Sequence, residues 1–294
     1  MTGPVLSSPL VSTQWLADYL GSDNLVVLDA TVLPYAAPNG RPGFLSGHEQ
    51  YIIEGHIPGA LFADLIEEFS DTDSPLPFTH QSTEAFSATT GALGVDNETT
   101  VVVYDRSVGQ WASRLWWLFR ANGYDRVAVL DGGYTKWLAE GRATEVGHVE
   151  PGTAQFTATE RPELWATRAD VEAIVAGDAA GALVCGVPPK EFSGEEGSRA
   201  RRGHIPGSIN VPAARLVNRE TNAVIPEAEL RAAFGRHSTR SGSLRIARPG
   251  SRHPPTRSLS PCSVTATSPS MTVRCWSGVP TSDCQSLVSS SPLV

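Results

Sequence analysis

The chain is short of cysteine, and the little it has is badly distributed. Only four occur among 294 residues, none in the first 184, and three of them (Cys262, Cys275, Cys284) fall in the last 35. No pair has metal-ligand spacing, and a disulfide framework would not cluster at one end of a cytosolic chain, so neither a metal site nor a cross-linked scaffold is expected. Basic surplus is also lacking. The net charge is −8, which leaves no overall positive field to hold nucleic acid or an anionic membrane. No run approaches the roughly 18 apolar residues that a membrane helix needs. Residues 1–9 carry neither a positive cluster nor a long apolar core, so no secretion signal is read there and a cytoplasmic location is expected.

What the chain does have is a phrase used twice, Gly55-His56-Ile57-Pro58-Gly59-Ala60 and Gly203-His204-Ile205-Pro206-Gly207-Ser208. An apolar run precedes each copy (Leu25 to Ala30; Ala182 to Gly186) and a short apolar stretch follows (Ala60 to Phe62; Ile209 to Pro212). The repeat is far longer than a solenoid module, so it marks two copies of a domain.

In order, Val11–Leu20 reads as a helix capped by Ser12 or Thr13, with Trp15, Leu16, Tyr19 and Leu20 on its apolar face. Leu25–Ala30 is a strand without alternation, buried on both faces. Residues 31–46, rich in Pro and Gly, read as loop, His48–Glu54 as a helical turn, Asp64–Phe69 as helix and Ser70–Thr79 as loop. Thr99–Asp105 is the clearest strand; a loop over 106–109, a helix over Gln110–Asn122 ended by Gly123, a strand over Arg126–Asp131 and a helix over Tyr134–Ala139 follow. Trp116 and Trp117 read as core. Strands alternating with helices imply a parallel sheet covered on both faces. Residues 147–162 are polar and aperiodic, so they read as a linker. The second copy then opens with a capped helix over Thr167–Val175, a strand over Gly181–Cys185 and a turn at Pro188–Phe192, and continues to a helix over Pro226–Phe234.

After Gly235 the composition changes. About a quarter of residues 236–294 are Ser, seven Arg face the single acid Asp283, and no periodicity persists. One reading is a disordered basic tail. The other is a change of reading frame. Shifting the codons of Pro261–Gly278 by one base, with synonymous codons chosen freely, permits VLGHRDIAVYDGSLLEW. That string matches Ala121–Trp137 at Gly123, Ala128, Val129, Asp131, Gly132 and Trp137.

Together these phrases resemble the tandem-domain rhodaneses, the thiosulfate and 3-mercaptopyruvate sulfurtransferases: both GHIPG phrases, VVVYD at Val101–Asp105, ASRLWW at Ala112–Trp117 and VLDGGYTKW at Val129–Trp137. The resemblance covers residues 11–235. It implies an α/β fold of two tandem rhodanese-like domains, each a central parallel sheet flanked by helices, with the second incomplete. The divisions are 11–146 (first domain, non-catalytic type), 147–162 (linker), 163–235 (first half of the second domain) and 236–294 (anomalous tail). It also implies a monomer without cofactor or metal, whose partners are a small-molecule sulfur donor and a thiophilic acceptor, not nucleic acid or membrane. In such enzymes a cysteine in the loop after the second-copy equivalent of Val101–Asp105 becomes a persulfide and passes sulfur to cyanide or another thiophile. Loop N–H groups at a helix N-terminus hold its thiolate.

In copy one that loop is Asp105-Arg106-Ser107-Val108-Gly109, without cysteine. In copy two it would fall after Gly235, where no such loop is legible, so the chain as written is expected to be inactive. The candidates left are few. Cys185 stands where family members carry Asp, in Val184-Cys185-Gly186-Val187, and is either a substitute nucleophile or a small buried residue. Arg201 and Arg202, with Arg199, precede the second GHIPG and could bind an anionic donor or form a solvated charge run. Arg106 could reach across to the other domain or lie exposed. His56 and His204 read as turn caps and not bases, since no acid is spaced to orient them. Gly132-Gly133 is a turn, not a phosphate loop. Two rival readings stand beside the sulfurtransferase: a non-catalytic rhodanese-like binding module, and a Cys-based phosphatase, which would need a Cys-x5-Arg phrase that none of the cysteines offers.

Overall fold

The computed structural model describes residues 4–36, 42–197 and 201–235; residues 236–294, with Cys262, Cys275, Cys284 and the Pro261–Gly278 stretch on which the reading-frame expectation rests, lie outside the described residues, as does Arg199. The first domain is built on five parallel strands: β1 (Leu10–Val11), β2 (Leu25–Asp29), β5 (Leu61–Phe62), β6 (Thr100–Tyr104) and β7 (Val127–Leu130), in the order β1-β7-β6-β2-β5. The strand in the middle, β6, explains its own sequence. Val101 and Val103 pack into one core with Trp111, Leu115 and Phe119, while Val102 and Tyr104 pack into the other with Leu16, Ile57 and Trp137. Covered on both faces, it has no polar face to alternate with.

The helices supply those covers. In α1 (Thr13–Tyr19) Ser12 caps Trp15 N at 3.0 Å and Leu16 is buried, whereas Tyr19, placed on the apolar face by its spacing, stays 37 % exposed. α4 (Gln110–Ala121) buries both Trp116 and Trp117, and α5 (Gly133–Ala139) packs on the α1 side. α2 (His48–Glu54) leads into the first GHIPG phrase. α3 (Thr83–Ala92), capped by Ser82, escaped the sequence reading because its Ala- and Thr-rich text has a weak apolar stripe; it buries Phe86.

Two expectations need correction. The stretch read as loop over 31–46 holds two strands: β3 (Val32–Ala36) and β4 (Pro42–Ser46) pair antiparallel, Val32 opposite Ser46 and Pro34 opposite Phe44. A two-stranded ribbon has an outer edge on which proline costs no ladder bond, so the prolines did not exclude strand. Asp64–Phe69 is a single turn and not a helix. The amides of Glu68 and Phe69 both donate to the Asp64 carbonyl, and Asp64 Oδ1 accepts from Ile66 and Glu67, so the turn is capped but never propagates. Residues 147–162, read above as a linker, pack along the first domain. Phe156 enters the first-domain core beside Phe86 and Phe119. Ala154 N donates to Gly91 O at 2.9 Å, a contact that a Cβ on Gly91, 2.6 Å from that Ala154 carbonyl, would obstruct. Arg161 clamps Asp125 with both guanidinium nitrogens at 2.6 and 2.8 Å.

The second copy repeats the opening of the first. α6 (Arg168–Ala176) starts on a capping box of Thr167 and Asp170. β8 (Val184–Cys185) pairs parallel with β9 (Ile209–Asn210), α7 (Pro189–Ser193) precedes the second GHIPG phrase, and α8 (Glu227–Gly235) ends the described part. Between β9 and α8, residues 217–224 fold back on themselves and dock on the first domain. Asn222, at φ 54°, donates through Nδ2 to Ser107 O at 2.8 Å and to Thr135 Oγ1 at 3.2 Å, and Val224 N donates to Asp131 Oδ1 at 2.7 Å.

Candidate functional site

Loops at the C-terminal ends of parallel strands are where an α/β sheet places its chemistry, and β6 ends at Asp105. Its carboxylate is fully buried and turned back into the loop it begins. Oδ1 accepts from the amides of Ser107 (2.8 Å) and Gly109 (3.1 Å), Oδ2 from those of Trp111 (2.8 Å) and Ala112 (2.9 Å). The loop 106–109 and the first turn of α4 thus form a ring of N–H groups closed around an anion carried by the chain itself. Burial pushes the Asp105 carboxyl above its usual range, while the four amides pull it back. Gly133 completes the cradle from the side: at φ 53° it passes so near the strand that a Cβ would lie 2.4 Å from the Asp105 carbonyl, which accepts from Tyr134 N at 3.0 Å.

The next residue is Arg106. Its guanidinium pairs with Glu54 at 3.0 Å, donates to the carbonyls of Gln50 (3.2 Å) and Gly55, and lies over the Tyr134 ring at 4.3 Å from its centroid. All of these partners belong to the first domain. Below it lies Asp29 at the end of β2, buried, with Oδ1 bonded to the amide and hydroxyl of Thr31 and Oδ2 without a partner. Burial raises its carboxyl; the Thr31 bonds and the charge of Arg106 act against that.

The GHIPG phrase is a turn with one construction in both copies, buried around His56 in the first and half-buried around His204 in the second. His56 Nδ1 lies 3.0 Å from the Tyr51 carbonyl, and its ring stacks on Tyr51 at 3.9 Å and 15°. His204 Nδ1 lies 2.7 Å from the Phe192 carbonyl, and its ring stacks on Phe192 at 3.7 Å and 7°. A carbonyl only accepts, so Nδ1 carries the hydrogen in each, and the imidazoles brace a turn.

Sheet register makes Asp29 and Cys185 equivalent: Asp29 lies opposite Phe62 across β2–β5, and Cys185 opposite Asn210 across β8–β9, each opposite the second residue of the strand that follows GHIPG. Cys185 is fully buried. Asn210 Nδ2 donates to the carbonyls of Cys185 (3.0 Å) and Val187 (2.9 Å), closing the turn that Thr31 closes in copy one. Reactive cysteines sit in partly exposed, electropositive surroundings, whereas Cys185 is 0 % exposed. Arg201 and Arg202 are both exposed; Arg202 Nη1 donates to the Glu195 carbonyl at 3.4 Å. The structure brings Asp29, Arg106, Glu54 and Tyr134 together in the first domain and leaves Arg201 and Arg202 on the surface of the second. Asp105 and Asn222 went unmarked in the sequence reading. An acid closing a β-branched strand before a loop and a helix could have flagged Asp105; nothing local flags Asn222.

Where the two parts meet, a cavity of about 130 Å³ opens between Val108–Gln110 and Asp131–Gly133 on one side and Leu216, Val217, Asn222 and Val224 on the other. Among the described residues no group of His, Cys, Asp and Glu could hold a metal ion, and no helix is long and apolar enough to cross a membrane.

Comparison with known proteins agrees with this architecture. Residues 12–140 match the family described as rhodanese-like domain. The chain is 33 % identical over 210 residues to the 3-mercaptopyruvate sulfurtransferase of Escherichia coli (strain K12), covering 70 % of this chain and 72 % of that protein. It is 36 % identical over 248 residues to the thiosulfate sulfurtransferase of Rattus norvegicus, covering 80 % and 78 %. The crystal structure of the Escherichia coli 3-mercaptopyruvate sulfotransferase SseA superposes with a TM-score of 0.68 at 32 % identity, over 81 % of this chain and 86 % of that one.

Proposed function

The chain belongs to the rhodanese family of sulfurtransferases, and on that premise we propose that it descends from a tandem-domain enzyme that moves sulfane sulfur from thiosulfate or 3-mercaptopyruvate to cyanide or another thiophile. The catalytic group in this reading is a cysteine of the second domain, in the loop that answers to Asp105–Gly109. Its thiolate attacks the outer sulfur of the donor. With thiosulfate the S–S bond breaks and sulfite leaves with the electron pair; the thiophile then takes the outer sulfur of the persulfide, and the thiolate leaves. The observation that carries this reading is the Asp105 cradle, four loop and helix amides converging on one anionic group. A strand–loop–helix unit of this kind, with a thiolate in place of the carboxylate, would stabilise the nucleophile and place it beside an anionic donor.

We further take residues 163–235 as the first part of that second domain. Its β8 and β9 stand for β2 and β5, and the counterparts of β6, its loop and β7 belong beyond Gly235 in a shifted frame. Read so, the chain as written lacks its nucleophile and is inactive. Cys185, equivalent by register to Asp29, serves as packing. Arg106 serves as a brace of the first domain through Glu54 and Tyr134, and Arg201 and Arg202 remain the candidates for an anionic donor. A second reading, a binding module without catalysis, is favoured by the Asp105 carboxylate, which fills the first-domain cradle.

The test is thiocyanate formation from thiosulfate and cyanide, and the matching assay with 3-mercaptopyruvate, on the chain as written and on a version with its frame restored after Gly235. The expected result is no turnover from the first and turnover from the second. No turnover from the restored version overturns the sulfurtransferase reading. Turnover from the chain as written that Cys185→Ser abolishes overturns the packing role of Cys185.

A further inference from the structure

The first domain holds a buried cation that the sulfur-transfer reading does not use. Arg114, in the second turn of α4, is 5 % exposed. Its Nη2 donates to the Phe78 carbonyl, and among the described residues no carboxylate lies within ion-pair distance of it. Arg106, by contrast, has Glu54 at 3.0 Å. A guanidinium carries five N–H donors and no acceptor. Desolvation alone lowers the Arg114 value, to about 10, so the group is a desolvated cation at neutral pH without a counter-charge.

One turn earlier on the same face of the helix stands Trp111. It is 2 % exposed, and its Nε1 is buried without an acceptor. Phe78 joins the two residues. Its carbonyl is on Arg114, its ring centroid lies 5.0 Å from that of Trp111, and its φ of 59° is in the left-handed region that costs a non-glycine residue. Phe44 on β4 covers the group, with ring centroids 5.1 Å from Phe78 and 5.4 Å from Trp111, and is itself 38 % exposed. Phe44 thus stands between solvent and the rings of Trp111 and Phe78, beside the N-terminal half of α4, the end where the helix dipole favours negative charge.

We propose that Arg114, with Trp111, forms a binding site for a small oxyanion beneath Phe44 on the first domain. The chemistry is that of a monovalent or divalent oxyanion, a sulfur oxyanion or a carboxylate, held by a planar fork and an indole N–H. It is separate from the Asp105 cradle and does not depend on the sulfurtransferase reading.

The full chain, in chloride buffer of fixed ionic strength, is titrated with sodium sulfate, sodium thiosulfate and sodium acetate while melting temperature and tryptophan fluorescence are followed. At least one of the three should give a saturable rise in Tm, as expected of a ligand that binds only the folded state. Response to acetate alone assigns a carboxylate ligand; response to sulfate or thiosulfate assigns a sulfur oxyanion. Arg114→Met should weaken the response at least about tenfold, with a Tm in chloride equal to or above that of the parent because the uncompensated cation is gone. Should Arg114→Met fail to fold, Arg114→Lys and Trp111→Phe decide, each expected to shift the midpoint about three- to tenfold through loss of the fork or of the indole donor. The proposal is overturned by the absence of a saturable response to all three salts, by an equal response in Arg114→Met (the general effect of an excluded salt), or by unchanged midpoints in both conservative variants.

Discussion

The two copies of the repeat start from the same design and differ in what they can bury. Both hold their GHIPG turn by a histidine stacked on the aromatic of the preceding helix. Both run a short strand, a helix, the turn and a second strand in that order. In copy one, β2 is paired on both edges, by β6 and by β5, and α3 buries Phe86 against the sheet. In copy two, β8 pairs with β9 alone among the described residues, α8 buries no residue, and the cluster under α6 comes down to Val171 and Ile205 with Val175 and Leu183 against them. A helix gains stability from the surface it covers, and two strands offer little. The difference shows that the repeat phrase organises a turn, whereas the central strands build the domain.

Hydrogen exchange should sharpen this contrast most. Amides of β6 and α4 are expected to exchange roughly a thousandfold or more slower than those of α8, since core strands open only with the whole domain and a helix without buried residues frays locally. Equal protection of α8 and β6 would break the comparison. Next, Asp105→Ala should destabilise the first domain by about 3 kcal/mol, because four amides lose a charged acceptor at once. Cys185→Ala at the register-equivalent end of the second copy should change the same urea midpoint by less than about 0.5 kcal/mol, since β8 lies outside the first-domain core. A third comparison sets His56→Ala, expected to cost about 2 kcal/mol of first-domain stability, against His204→Ala, expected to cost under about 1 kcal/mol at its half-buried turn. Similar costs for both would mean that the second copy is as well packed as the first.

The smallest effect concerns pH. The folded Asp29 carboxyl is raised above its ordinary value of 3.8 by burial. A raised carboxylate binds its proton more tightly in the folded state, so its contribution is fully present below the unfolded value and is lost as pH rises through the folded one. Asp29→Asn should remove that loss, flattening the stability profile above pH 4 in urea melts across that range. Cys185→Asn should leave the profile as it was.

Much of the first domain was legible because its elements announce themselves locally. The β-branched run at Val101–Val103, the helix from Gln110 and the cap at Ser12 each depend on neighbours a few residues away. The hairpin over 32–46 was not legible, since its prolines read as breakers until the pairing of Pro34 with Phe44 placed them in an isolated ribbon. The strap over 147–162 was hidden for a related reason: one aromatic, Phe156, decides its path, and one residue makes no period. Of the candidate residues, position along the strand singled out Cys185, but burial at that strand end is a property of the assembled sheet.

By itself the sequence determined the twice-used GHIPG phrase, the parallel α/β class, the absence of cysteine from the Asp105 loop and the change of composition after Gly235, all carried by local pattern and repetition. Only the tertiary structure decided where charges and donors end up. Asp105 turns into its own ring of amides, Arg106 folds onto Glu54 and Tyr134, Arg114 is buried with no carboxylate partner among the described residues, and Asn222 reaches Ser107, 115 residues away in sequence. Such partners are chosen by packing across the chain, and no spacing along it encodes them.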